Sequence, residues 1–284
     1  MNYLHVLVLA IVQGAAELLP VSSSAHVILA ERLLGLDPSR PELTFLLVML
    51  HTGTMFAVIQ CFWPRWRAFV HAPAGLSTAS YAGILVLATG ITGVLGLALK
   101  KGIEKLVLRG PDSEVEELFR NLPLMAGSLF AVGILILAAG FRDTEKNAAP
   151  LTSGRASLVG LVQGLCLPFR GFSRSGATIS TGLFLGLSRG VAEELSFALA
   201  VLLTPPVVAI ELHRLVKSLA KDGQHFDPAL LLPGLAGMVL AFLSGALALR
   251  LLSRALEKGR FQYFGFYCLA FAGVVLGAHF VLDR

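Results

Sequence analysis

The sequence predicts an all-α polytopic membrane protein. It should hold two inverted-topology repeats, each a re-entrant helix pair plus three transmembrane helices. Three observations predict this. The 284 residues are 55% hydrophobic and only 14% charged, with a mean hydropathy of +0.76; soluble domains carry about 25% charged residues. Apolar runs recur at about 2–15, 43–63, 78–99, 122–141, 154–168, 191–212, 229–252 and 262–282. A helix of about 20 apolar residues spans a bilayer core and satisfies its own backbone there. Finally, the chain repeats itself. VQG at 12–14 recurs at 162–164, and LGL at 34–36 recurs at 185–187. SSS at 22–24 then lies over SRS at 173–175, and FLLVMLHTGTMFAVI (45–59) lies over FALAVLLTPPVVAI (197–210). Four matches in order, at nearly one offset, are more than chance alignment of apolar sequence.

The elements follow in order. Repeat one covers 1–141, a polar linker about 142–153, and repeat two 154–284. No Lys or Arg precedes Arg32, so the first apolar run lacks the basic start of a signal peptide and reads as part of the fold. Pro20 ends or kinks the first helix, and Ser22 is placed to cap a short second one. Stretches 16–36 and 166–188 are short and broken by Pro, Gly and Ser. Such breaks at matching places of two halves point to a site between inverted repeats. Three spans per half flip the second half and give six spans. Residues 100–120 read as an interfacial amphipathic segment, 141–155 as the mid-chain linker, and 213–228 as another polar break.

The net charge of +5 needs no nucleic-acid partner. Lys and Arg gather at span ends, where their heads snorkel to the lipid interface. Trp63 and Trp66 beside Arg65 and Arg67 read as an interfacial anchor, and Arg250, Arg254, Lys258 and Arg260 as a basic flank. The loop charges divide almost evenly between the two faces, so the positive-inside rule gives no orientation. Cys61, Cys166 and Cys268 share no motif spacing and read as small buried hydrophobes.

Two polar clusters interrupt the apolar pattern. In the first, Gln13 and Glu17 are four residues apart on one helix face. Ser22, Ser23, Ser24 and His26 follow, with Ser23 and His26 sharing a face of the next helix. A helix start suits an anion through its free N–H groups and dipole. In the second, LPFRGFSRSGATIS (167–180), Gly171 and Gly176 allow close backbone approach. Ser173, Ser175 and Thr178 offer hydroxyls, and Arg170 and Arg174 offer guanidinium forks for phosphate. An arginine at bilayer depth is costly without a partner. The repeat sets Arg174 over Ser23, so the two clusters should face each other as one anion site.

Plainer roles exist for each residue alone. A serine in a membrane helix usually bonds the carbonyl four residues back, His26 could be interfacial, and Glu17 could pair with an arginine. His51 and Thr52 either line the same cavity or pack. Glu193, Glu194 and Glu211 sit at span ends and read as solvated or salt-bridged.

QGAAELLPVSSSAH and GFSRSGATISTGLFLGLSR resemble the two signatures of the undecaprenyl-diphosphatase family, also called bacitracin-resistance proteins. The likeness extends over nearly the whole chain in length, hydropathy and repeat. It implies an enzyme of the bacterial inner membrane that takes the terminal phosphate from undecaprenyl diphosphate, leaving the monophosphate carrier lipid for peptidoglycan synthesis. It implies activation by a divalent cation, Mg²⁺ or Ca²⁺, and a site open to the periplasm. By matching positions, Glu17, Ser23, His26 and Arg174 are the expected catalytic residues. Ser22, Ser24, Ser173, Ser175, Gly176, Thr178 and Arg170 are expected around the phosphates, and Gln13 with Glu17 as metal or polar support. A homodimer is left open. Three positions depart from the pattern: Gln13 stands where Glu is frequent, Ala25 where Gly is common, and Arg170 where the motif has Pro.

The residues admit more than one chemistry. Ser23 could attack phosphorus with Glu17 or His26 as base; water could attack with Glu17 as base; His26 could be the nucleophile. The rival class is a polyprenyl-phosphate flippase or ion-coupled transporter on the same anion site, since inverted repeats with broken helices are carrier architecture. A carrier needs Arg174 but not the Ser23–His26 set. A structural protein without ligand fits the paired polar breaks least.

Overall fold

The computed structural model describes residues 2–37, 40–70, 78–105, 121–142, 145–221 and 226–282. Its regular elements there are helical. The first five are α1 (Tyr3–Leu18), α2 (Ser23–Leu33), α3 (Pro41–Val70), α4 (Thr78–Ile103) and α5 (Leu122–Gly140). The next five are α6 (Ser153–Cys166), α7 (Arg174–Phe184), α8 (Arg189–Lys221), α9 (Leu231–Glu257) and α10 (Gln262–Leu282). A 3₁₀ turn, Pro228–Leu230, leads into α9.

Six helices are long and apolar enough to cross a membrane: α3, α4, α5, α8, α9 and α10. The chain is therefore a multi-pass α-helical membrane protein. The other four are too short to span. α1 and α6 have 16 and 14 residues, and α2 and α7 have 11 each; at a rise of about 1.5 Å, 16 residues reach only about 24 Å.

Helix starts follow side-chain capping. Asn2 accepts from Leu4 N, Asn121 from Leu124 N, Thr152 from Arg155 N and Ser173 from Gly176 N. α1 stops at Leu18, two residues before Pro20, as proline chemistry demands.

Both runs of five helices have one order: two short, then three long. Residues at the repeat offset also make matching bonds. Ser244 of α9 donates to the Ala10 carbonyl of α1 at 3.3 Å, and Thr92 of α4 donates to the Gly160 carbonyl of α6 at 2.8 Å. Small residues allow these approaches. A side chain at Gly14 would strike the Ala241 carbonyl, and one at Gly160 the Ala88 carbonyl. Helices in lipid associate through such close, small-residue contacts. α5 and α10 pack likewise through Gly133 and Gly265.

Three expectations change. The break at 213–228 is shorter, because α8 continues helical to Lys221. Its last turns alternate Leu215 and Val216 with Arg214 and Lys217, a pattern compatible with a helix end at the interface. Glu193 and Glu194 are buried rather than solvated, and Glu193 takes the salt-bridged role that was the other alternative. Glu193 accepts from Ser253 at 2.6 Å and lies 3.7 Å from Arg65, and Glu194 accepts from Tyr81 at 3.2 Å. Arg65 thus turns inward to Glu193 rather than serving only the interface. Of the segment at 100–120, residues 100–103 close α4 and 106–120 lie outside the described residues. Cys166 and Cys268 are buried and Cys61 is half-buried, all as free thiols.

Candidate active site

The site forms where the last turn of α1 meets the starts of α2 and α7. Glu17 is its centre. Gln13, one turn earlier, is 2% exposed and donates from Nε2 to Glu17 Oε2 at 3.1 Å. Ser23, the first residue of α2, donates from Oγ to the same oxygen at 2.5 Å. Arg174, the first residue of α7, donates from Nη2 to Glu17 Oε1 at 3.1 Å. The two short helices therefore begin at one carboxylate, each through its first residue, and those two residues lie at the offset of the sequence matches. Arg174 Nη1 is buried and has no partner among the described residues. A buried guanidinium N–H without an acceptor is costly, and it marks where an anion's oxygen fits.

Serines hold the two loops together. Ser24 Oγ accepts from Gly171 N at 3.3 Å, and Ser175 donates to the Leu19 carbonyl at 3.2 Å. Gly171 has φ +93°, and a side chain there would run into the Met125 carbonyl, so glycine is required. Ser22 sits at φ +68°, the one non-glycine with positive φ among the described residues. This conformation is strained for serine. It precedes α2 as expected, but its hydroxyl does not cap; it meets Ser24 Oγ at 3.3 Å instead. The true caps are on the α7 side, where Ser173 accepts from Gly176 N at 3.2 Å. Thr178 is fully buried, bonded to the Arg174 carbonyl and to Ser196 Oγ at 2.6 Å. It ties α7 to α8. Arg170 lies exposed in the turn before α7.

The helix face expected to present Ser23 and His26 together splits. Ser23 turns to Glu17, whereas His26 bonds the Ser22 carbonyl through Nδ1 at 2.7 Å and Tyr267 Oη through Nε2 at 2.7 Å. A carbonyl can only accept, so Nδ1 carries the proton and neutral Nε2 accepts from Tyr267. The ring stacks on Phe271 at 3.9 Å. Sequence reading missed Tyr267 and Phe271. They are four residues apart on α10 in an aromatic run that looks lipid-facing, and only the packing against α2 distinguishes them. His51 joins the site as one alternative had it: Nε2 lies 4.0 Å from Glu17 Oε2, with Nδ1 bonded to the Leu47 carbonyl at 2.8 Å. Thr52 bonds the Val48 carbonyl of its own helix.

The donor set was tested against a divalent cation. Among the described residues no three His, Cys, Asp or Glu side chains gather as a metal site. Both oxygens of Glu17 already accept hydrogen bonds. The side chains here do not form a cage of the six or more oxygens that Ca²⁺ or Mg²⁺ takes.

What the arrangement can do is narrow. It holds a hydroxyl against a carboxylate, beside a buried guanidinium with donors to spare, between two helix starts. That is the equipment for handling a phosphoryl group.

Comparison with known proteins agrees. The family model described as bacitracin resistance protein BacA matches residues 6–274. The chain is 56% identical to undecaprenyl-diphosphatase 2 of Acinetobacter baylyi, over 97% of this chain and 98% of that one. It is 36% identical to the undecaprenyl-diphosphatase of Desulfosudis oleivorans, over 95% and 96%. It is 30% identical to that of Parabacteroides distasonis, over 97% of each. With the match running from α1 into α10 and taking in every residue around Glu17, this chain belongs to the bacitracin resistance protein BacA family.

Proposed function

We propose that this protein is a membrane phosphatase that hydrolyses undecaprenyl diphosphate to undecaprenyl phosphate and inorganic phosphate. The reaction serves carrier-lipid recycling in cell-wall synthesis, at the bacterial inner membrane, from a site open to the periplasm. One observation carries the reading: Ser23 and Arg174, from the two halves of the chain, meet on Glu17. The relatives' names support the same chemistry.

The geometry supports a two-step path. Ser23 Oγ gives its proton to Glu17 Oε2 and attacks the terminal phosphorus. The bond from phosphorus to the bridging oxygen breaks, and lipid monophosphate leaves with its electron pair. Arg174 Nη1 and the first N–H groups of α2 and α7 stabilise charge on the transferred group. Glu17 passes the Ser23 proton to the departing lipid monophosphate and, as carboxylate again, takes a proton from the water that attacks the phosphoserine; it hands this proton to Ser23 Oγ as the phosphorus–Oγ bond breaks and phosphate is released. His26, held on Tyr267, orients the α2 start rather than taking the Ser23 proton. A divalent cation, which these side chains do not cage, would have Gln13 and Glu17 as its nearest polar support and would supply positive charge against the phosphoryl oxygens.

We also propose that the two halves are inverted repeats, with the site on the pseudo-two-fold axis between them. The equal helix order and the paired Ser244–Ala10 and Thr92–Gly160 bonds support this.

The deciding assay is phosphate release from a C15 or C55 prenyl diphosphate by purified protein in detergent, beside Ser23→Ala and Arg174→Ala. Release that needs both residues, with an acid-stable phosphoserine after quench, supports the reading. Wild type that binds the lipid without releasing phosphate sinks it and favours a carrier.

A further inference from the structure

A second polar cavity lies away from Glu17, between the C-terminal halves of α3 and α9. Its volume is about 540 Å³, and its walls include Gln60, Arg65, Arg250, Ser253, Arg254 and Glu257. It is not part of the site above. His51, beside Glu17, is nine residues before Gln60 on α3, which is about 14 Å along a helix. On α9, Gly245 packs under Leu18 of α1, and the cavity wall begins one turn further on, at Leu249.

Three arginines face one glutamate in this lining. Arg65 is held in place by the Glu193 carboxylate at 3.7 Å and by the Phe62 ring at 5.4 Å. Arg250 and Arg254 are different. Neither has a hydrogen bond or ion pair among the described residues, although both line the same hollow. Arg250 lies seven residues inside the end of α9, about 10 Å below it and within a helix long and apolar enough to span a membrane. A guanidinium at that depth is stabilised by an anion.

The surrounding surface indicates which anion. Leu243 and Leu247 are exposed on α9, at 57% and 60%. With Arg250 and Arg254 they fall on one stripe at intervals of three and four residues. Apolar contact thus runs straight up into paired cations, the profile of a lipid tail below its head. Basic pockets between membrane helices bind phosphate headgroups in this way, and Arg forks match phosphate oxygens.

We propose that this cavity binds the phosphate group of a membrane lipid, as a site separate from the one at Glu17. Binding here requires no catalysis, so the proposal stands or falls independently of the phosphatase reading.

The test uses full-length protein in nanodiscs of phosphatidylcholine doped with phosphatidylglycerol. Phosphatidylglycerol retained per protein is measured by native mass spectrometry. Wild type is compared with Arg250→Gln, Arg254→Gln and Lys258→Gln. Lys258 is on the same basic flank but does not line the cavity. Arg254→Lys provides a milder variant that keeps the charge, and thermal melting checks folding.

Retention should fall about fivefold for each cavity arginine removed and stay unchanged in Lys258→Gln. A second arm gives labelled inorganic phosphate to protein in pure phosphatidylcholine. Arginine-dependent retention in that arm, with displacement of phosphatidylglycerol in the first, assigns the same site to free phosphate. Equal loss in Lys258→Gln, or no arginine-dependent retention in either arm, overturns the proposal.

Discussion

Ser23 Oγ donates to Glu17 Oε2 across 2.5 Å, joining the first residue of α2 to the last turn of α1. In the proposed path this bond sets Ser23 as nucleophile against Glu17 as base before any substrate arrives. Glu17→Gln keeps the shape and removes the base. We expect kcat to fall about 10²–10⁴-fold, with KM little changed. Steady-state phosphate release measures both. A variant that keeps wild-type kcat excludes Glu17 as the base.

Arg174 divides its guanidinium, with Nη2 on Glu17 and Nη1 buried and without a partner among the described residues. Lysine can do only one of these jobs. Arg174→Lys should therefore lose about 10²–10³-fold in kcat/KM, close to Arg174→Ala, rather than being largely rescued. The comparison of the two variants is the check.

Among the described residues, Tyr267 reaches the site through its hydrogen bond to His26. Tyr267→Phe removes the hydroxyl and keeps the stacked ring, so one neutral hydrogen bond of about 1 kcal/mol is at stake. We expect a loss of about fivefold in kcat. The double variant with His26→Ala should be no worse than His26→Ala alone. A double-mutant cycle reads this coupling; additive losses would show that Tyr267 acts elsewhere.

Gln13 is buried one turn before Glu17 and donates to it. Gln13→Glu replaces that donor with a second carboxylate, a better pair for a hard divalent cation. Half-maximal activity should then come at lower Mg²⁺ or Ca²⁺, and activity without added cation should drop. Titration from EDTA-treated protein shows the shift or its absence.

Gly160 packs on the Ala88 carbonyl beside the Thr92 bond. Gly160→Val should cost about 1–3 kcal/mol through overpacking. Thr92→Val removes two bonds to α6, one donated to Gly160 and one accepted from buried Gln163, and at about 0.6 kcal/mol each should cost about 1.2 kcal/mol. Denaturant or thermal unfolding in one detergent ranks the two.

Much of this molecule was legible in its sequence because the relevant signals are local. Spacing put Gln13 and Glu17 on one face, Pro20 fixed where α1 ends, and hydropathy found six spans. The repeat offset set Ser23 opposite Arg174, and both head their helices at Glu17. What depends on a neighbouring helix could not be read this way. Glu193 and Glu194 look like span-end charges, yet Ser253, Arg65 and Tyr81, brought in by other helices, make their burial tolerable. His26 shares a face with Ser23 by spacing alone, but α10 supplies Tyr267 and Phe271 and turns the ring away. Periodicity tells which side chains emerge together; it carries no record of what stands opposite.

The hydroxyl-to-carbonyl bond from Ser244 to Ala10 spans 234 residues. Its consequence concerns biogenesis. The ribosome finishes α1 long before α9, against which α1 packs. At about 5–20 residues per second the delay is roughly 10–50 s. Arg174 follows Glu17 by 157 residues, about 8–31 s at the same rate, and until it arrives a short helix bearing a bare carboxylate has little reason to stay in lipid. α1 and α2 are thus expected to enter the bilayer late, docking onto a scaffold of spans already inserted. The Glu17 carboxylate would be made well before the guanidinium it pairs with and put away only after that partner exists.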